Sequence, residues 1–206
     1  MKRIVILISF VFCLSNAWSQ KSDRLPLFLG DLIVSDSTST IMIPVRYNSS
    51  LYSTNKIALM NEVYANVLFY NFKTDTYHKM FEEDTYINGF PETKSIVSMS
   101  NSTVLSHEKW NFFFVKTQDF DKSGRVDSGD PSVLFVTDKQ GNNKKDLTPD
   151  DQNAVALYLF LKLDIALIKM QRDHDGDYNF ESGDKDFYYL RLDLKTLELG
   201  KKIELK

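Results

Sequence analysis

The chain carries a single cysteine, Cys13, in 206 residues. Cys13 lies inside an apolar N-terminal run that reads as a removable segment. What remains then has no disulfide, no thiolate zinc site and no cysteine nucleophile. Histidine is also scarce. His78, His107 and His174 stand in polar surroundings with no metal-ligand spacing between them. No Gly-x-Ser-x-Gly elbow, glycine-rich phosphate loop or His-Glu-x-x-His motif occurs, so the commonest signatures of nucleophilic, phosphate and metalloprotease chemistry are missing. The pair Glu82-Glu83 reads as a solvated turn rather than as glycosidase carboxylates. Basic residues do not gather with aromatics into a patch, which disfavours nucleic-acid binding. Beyond the N-terminal run no apolar stretch suits a membrane span: Ala154 to Met170 is interrupted by Lys162 and Asp164.

The N-terminus has the layout of a secretory signal. Lys2 and Arg3 precede eleven apolar or small residues, Ile4 to Leu14, too few for the roughly twenty that a membrane helix needs. Ala17-Trp18-Ser19 places small residues where a signal peptidase inspects the chain. The expectation is residues 1–19 as signal peptide and residues 20–206 as one secreted or periplasmic domain. Phe12 before Cys13 argues against lipidation. Losing Lys2 and Arg3 moves the formal charge from −3 to −5, with 23 basic residues against 28 acidic. A domain without disulfides gains stability from any ligand that binds only its folded form.

Much of the acidity is concentrated in two twelve-residue segments. The first contains Asp119, Asp121, Ser123, Arg125, Asp127 and Asp130; the second contains Asp173, Asp175, Asp177, Asn179, Glu181 and Asp184. Each puts oxygen-bearing side chains at positions 1, 3, 5, 9 and 12, with an apolar residue, Val126 or Phe180, at position 8. That is the spacing by which a loop wraps a calcium ion. The backbone carbonyl of position 7, here Arg125 or Asn179, completes the shell. The segments predict two Ca2+ sites. In the first, Gly124 occupies position 6, where the chain turns sharply; in the second Gly176 is at position 4 and Tyr178 at position 6. Either the second turn shifts or Tyr178 takes a strained conformation. The first loop ends in Asp130 rather than Glu, which predicts weaker binding or a water in the shell.

Three segments repeat a pattern of apolar run, Asn/Asp turn and second extended segment. They open at Val67, Val133 and Tyr188, and their turns open at Asn71, Asp138 and Asp193. This is a β-hairpin signature. A further strand is expected before each: Lys56 to Met60, Trp110 to Lys116, and Asp164 to Met170. In the first unit Asn61 to Asn66 joins the strands; in the other two the acidic loops occupy that joint. Leu25 to Tyr47 reads as a fourth, irregular unit. Thr148-Pro149 is a good helix start, so one short helix near 149–162 is an option. The expectation is instead two strands turning near Lys162.

The segment Val133 to Pro149, with its Asp138-x-x-Gly141 turn and closing Leu147-Thr148, resembles the β-propeller blades of the TolB-like and WD40-like classes. That resemblance implies antiparallel β-meander repeats in a small or partial propeller, since about four blades of 40–45 residues fit the length. In ligand spacing the acidic loops resemble those of EF-hand and dockerin modules. Those families set helices beside the loop, whereas Trp110 to Val115 and Val133 to Val136 read as strands. The 54 residues from Asp119 to Asp173 also exceed a dockerin spacing. No helix-opening sensor is therefore implied. The chain also resembles small secreted Bacteroidetes-type proteins of unknown function, a likeness that implies no activity.

The expectation is an all-β, calcium-binding, secreted module without enzymatic activity. It would act on a protein or glycan partner, or as a homo-oligomer. The alternative is a calcium-dependent extracellular hydrolase acting on polysaccharide.

Overall fold

Runs rich in Val, Ile, Phe and Tyr become strands wherever a side-chain turn closes the chain behind them. The computed structural model describes residues 27–34, 38–47, 63–88, 99–100, 107–124, 126–127, 129–180 and 183–205. The expected signal peptide, the Lys56 to Met60 strand, Arg125 and Glu181 lie outside the described residues. The strands are β1 (Leu27–Leu29), β2 (Ile33–Val34), β3 (Thr40–Tyr47), β4 (Val63–Asn71), β5 (Thr76–Lys79), β6 (Tyr86–Asn88) and β7 (Met99–Ser100). They continue as β8 (Trp110–Lys116), β9 (Val133–Asp138), β10 (Lys145–Asp146), β11 (Gln152–Phe160), β12 (Ile165–Arg172), β13 (Phe187–Asp193) and β14 (Leu199–Ile203).

The three expected hairpins form as β4–β5, β9–β10 and β13–β14. One device closes all three. Asn71 Oδ1 accepts the N–H groups of Lys73 and Thr74, Asp138 Oδ1 those of Gln140 and Asn142, and Asp193 Oδ1 those of Lys195 and Thr196. Each side chain satisfies backbone donors that the turn would otherwise leave unpaired.

The repeats do not close into a propeller. They divide between two antiparallel sheets: one of nine strands, running β1-β3-β4-β6-β8-β9-β10 with β2 on β3 and β5 on β4, and one of five, running β14-β13-β12-β11-β7. The reason lies in β8, whose Phe112 and Phe114 join Leu157, Ile168, Met170 and Leu192 of the second sheet in one cluster. Its alternate residues Phe113 and Val115 join Val67, Phe69 and Ile87 of the first sheet in another. A strand buried on both faces reads as a continuous apolar run, and each buried Phe contributes about 1.5–3 kcal/mol. Gly141 in the β9–β10 turn lies against the Phe69 ring, where a β-carbon would come within 2.2 Å. Lys144 Nζ donates to the Met80 carbonyl at 3.1 Å. The first sheet therefore curls until its hairpins meet.

The segment Asn61 to Asn66 is not simply a connection: from Val63 it is strand, paired to β3 and β6. Asn66 fixes it there by donating to the Phe81 carbonyl and accepting the Phe81 N–H. The run Ala154 to Met170 forms two paired strands, turning through a short 3-10 helix at Leu161–Leu163 with Asp164 left-handed at φ 51°. No α-helix forms over 149–162. A bulge between Ala154 and Ala156 breaks the period of two, which is why the sequence hides the alternation.

Candidate metal centre

The first acidic loop joins β8 to β9 and the second joins β12 to β13, so each leaves one strand and enters its antiparallel neighbour. The twelve-residue spacing folds the two in the same way. At position 1, Asp119 accepts the N–H groups of Ser123 and Gly124, and Asp173 those of Gly176 and Tyr178. At position 3, Asp121 accepts from Ser123 and Asp175 accepts from Asp177. At position 12, Asp130 accepts from Phe120 at position 2, and Asp184 accepts from His174 at position 2. Carboxylates that collect backbone N–H groups in this way hold a loop in a ring around its own centre.

The backbone follows the same plan. Positive φ occurs at positions 4 and 6 of both loops: Lys122 (57°) and Gly124 (98°) in the first, Gly176 (78°) and Tyr178 (59°) in the second. Glycine has exchanged places between the loops, and the turn has not shifted. Tyr178 takes the left-handed conformation itself, a costly one for a residue with a β-carbon. Its ring stacks on Phe120 of the first loop, with centroids 6.1 Å apart and planes at 24°, and its hydroxyl donates to Asp151 Oδ1 at 2.9 Å.

Two carboxylate clusters result. Asp173, Asp175, Asp177 and Asp184 each offer an oxygen within 4.8 Å of the others, and so do Asp119, Asp121 and Asp130. Asp127 is not among the first cluster's carboxylates. Asp127 Oδ1 accepts the Gly129 N–H at 2.9 Å, while Ser123 is exposed and its N–H bonds both Asp119 and Asp121.

The clusters differ at position 12. Asp130 is fully buried, and both its oxygens are engaged, Oδ1 by Phe120 and Asp121 and Oδ2 by the Asp127 N–H. Burial pushes the Asp130 carboxyl above the ordinary carboxylate range, opposed by those N–H groups. Asp184 is 6% exposed, and its Oδ2 is buried with no hydrogen-bond partner among the described residues. A buried carboxylate oxygen without a donor is expensive unless a cation meets it.

The two loops also touch. Phe180 N–H donates to the Gly129 carbonyl at 3.0 Å, and Asn179 Nδ2 reaches Asp121 Oδ2 at 3.5 Å. A polar chain backs the contact: Asn153 accepts the Ser132 N–H and donates to Gln171 Oε1, and Gln171 Nε2 donates to the carbonyls of Phe180 and Asp184. Lys116 Nζ donates to the Asp130 carbonyl. Sequence patterns missed Lys116, Ser132, Asn153 and Gln171, because they converge from separate strands and share no local spacing.

Comparison with known proteins adds no relative. No family model matches the chain, and neither a curated protein nor a solved structure matches it. The donor set carries the argument: both clusters offer oxygen alone, the ligand type of a hard cation, where zinc and copper sites favour nitrogen and sulfur.

Proposed function

We propose that this chain is a secreted or periplasmic protein that binds two calcium ions in its β8–β9 and β12–β13 loops and uses them to hold a non-enzymatic binding module together. The buried, unpartnered Asp184 Oδ2 within a cluster of four carboxylates carries this reading. Four carboxylates left uncompensated repel one another, and a divalent cation removes that repulsion while satisfying the orphaned oxygen. Calcium suits the loops better than magnesium, because it accepts more oxygens and an irregular shell. The carbonyls of Arg125 and Asn179 and the side chain of Glu181 would complete the two shells.

Calcium here serves stability. Each ion closes a long connection between neighbouring strands and binds only the folded chain, so occupancy a hundredfold above Kd adds about 2.7 kcal/mol per site. A thermal melt of residues 20–206 in excess EDTA and in added calcium tests this. Calcium is expected to raise Tm, by less in Asp119→Ala and in Asp173→Ala. A Tm indifferent to calcium in all three proteins would sink the reading.

A further inference from the structure

Beside the two loops lies a groove of about 260 Å³. Phe120 of the first loop and Tyr178 of the second both line it. Because these rings stack on each other, that wall exists only where the loops hold each other in place. Phe135 on β9 adds a third ring, and Asp146, Asp150 and Asp151 supply the acid. No Lys, Arg or His is among the lining residues.

Two details set this groove apart from an ordinary acidic surface. Tyr178 keeps a left-handed backbone that glycine would adopt without strain, and so delivers its ring and its Asp151-bound hydroxyl to the groove. The Asp146 carboxyl, on an exposed strand, is held above the ordinary carboxylate range by partial desolvation and, beside it, the charge of Asp150, against the Thr148 N–H that it accepts at 2.7 Å. The groove thus gathers negative charge and two mutually stacked rings, while Phe135 already has the Lys144 ammonium 5.8 Å from its ring centroid.

We propose that this groove binds a cationic side chain, the ammonium of a lysine or the guanidinium of an arginine, presented by a protein partner. Its aromatic wall rests on the calcium reading above, since both stacked rings belong to calcium loops. Charge complementarity selects the occupant. Carboxylates pair with the cationic head, and the outer faces of Phe120 and Tyr178 attract it through their quadrupoles. Size agrees: 260 Å³ falls below the range of about 300–1,000 Å³ that takes drug-sized ligands. It suits one long side chain better than a chain of sugar rings.

The test titrates the purified chain with acetyl-Gly-Lys-Gly-amide, its arginine counterpart and its Nε-acetylated form, following backbone amide shifts by NMR in calcium and in EDTA. Calcium uptake is recorded by calorimetry on the same preparation. The two basic peptides are expected to shift the amides of Phe120, Tyr178 and Asp151 in calcium. Their affinity is expected to fall about tenfold on Nε-acetylation and in Asp151→Asn, the loss of one charge-assisted hydrogen bond, and to fall in EDTA. Asn suits the φ of 57° at residue 151. Asp150→Asn, also outside both loops, is the second variant and is expected to weaken binding in the same direction. Equal binding of the acetylated peptide, or binding of a neutral cello-oligosaccharide in its place, overturns the assignment. Calcium uptake without peptide binding also overturns it and leaves the metal reading standing. Peptide binding without calcium uptake overturns the metal reading and the calcium-set wall.

Discussion

The two acidic loops have one backbone plan and two electrostatic conditions. Both turn through left-handed residues at positions 4 and 6, and both tie position 12 back to position 2. In the first loop the Asp130 carboxylate is answered by three backbone N–H groups, so the loop supplies much of its own compensation. In the second, Asp184 has one oxygen answered and one buried without a donor, and the cluster holds four carboxylates against three. A loop can therefore keep a metal-binding shape while differing in how much it needs the metal. If the loops take a cation as proposed, the unmet demand at Asp184, more than the ligand spacing, makes the second loop the expected tighter site.

The sharpest way to break this comparison is to neutralise each position 12 in turn. In calcium, Asp184→Asn is expected to lose the second site's share of stability, about 2.7 kcal/mol at a hundredfold excess over Kd. In EDTA the sign reverses: the amide can face the orphaned position and remove one of four repelling charges, so stability holds or rises. Asp130→Asn behaves otherwise. One of its oxygens becomes an NH2 facing N–H donors, at a cost of about 1–3 kcal/mol with or without metal. Urea unfolding of both variants in EDTA and in calcium gives four numbers. Equal destabilisation of the two variants in EDTA would show that the asymmetry has no energetic meaning.

A smaller effect concerns how far the loops act together. The Phe180–Gly129 hydrogen bond, the Asn179–Asp121 contact and the Phe120–Tyr178 stack all cross between them. Ordering one loop thereby prepares the other. Calorimetric titration should find that Asp177→Ala weakens calcium binding at the first loop by about fivefold or more, a coupling near 1 kcal/mol. Linkage is reciprocal between the two ions, so where each substitution only empties its own site, Asp119→Ala should weaken the second loop by a similar factor. No change at either distant loop would reduce the two sites to independent neighbours.

Much of this was written locally. Asn71, Asp138 and Asp193 mark the hairpins because a short oxygen-bearing side chain closes such a turn by itself. The carboxylates of the clusters follow from spacing alone. The division into two sheets could not be read in that way. The repeats do form strand, loop, strand and hairpin, but the two-sided burial of β8 decides which sheet each joins. That is a property of distant partners, and propeller-like spacing does not encode it. The contact between the loops was equally hidden, since Asn179 and Asp121 are 58 residues apart. The bulge after Ala154 shows a third limit: one extra residue erases the alternation on which a strand is recognised.

The exchange of glycine between the loops yields the smallest prediction. Gly124 has φ 98°, and a β-carbon there would meet nothing within 4 Å. Gly124→Ala therefore isolates backbone strain and should cost about 1–2 kcal/mol in EDTA, read by urea unfolding. At the matching position, Tyr178→Gly relieves comparable strain. It also gives up the Phe120 stack, about 0.5–1.5 kcal/mol, and adds freedom to the unfolded chain, about 0.5–1 kcal/mol. The hydroxyl's bond to Asp151 is lost as well, so the relieved strain is more than offset and the net change should be a small loss of about 1 kcal/mol. A large gain in stability would mean that the stack contributes nothing and that Tyr178 is kept in its strained place for the groove alone. A large loss would mean that the ring, rather than the carboxylates, holds the second loop to the first.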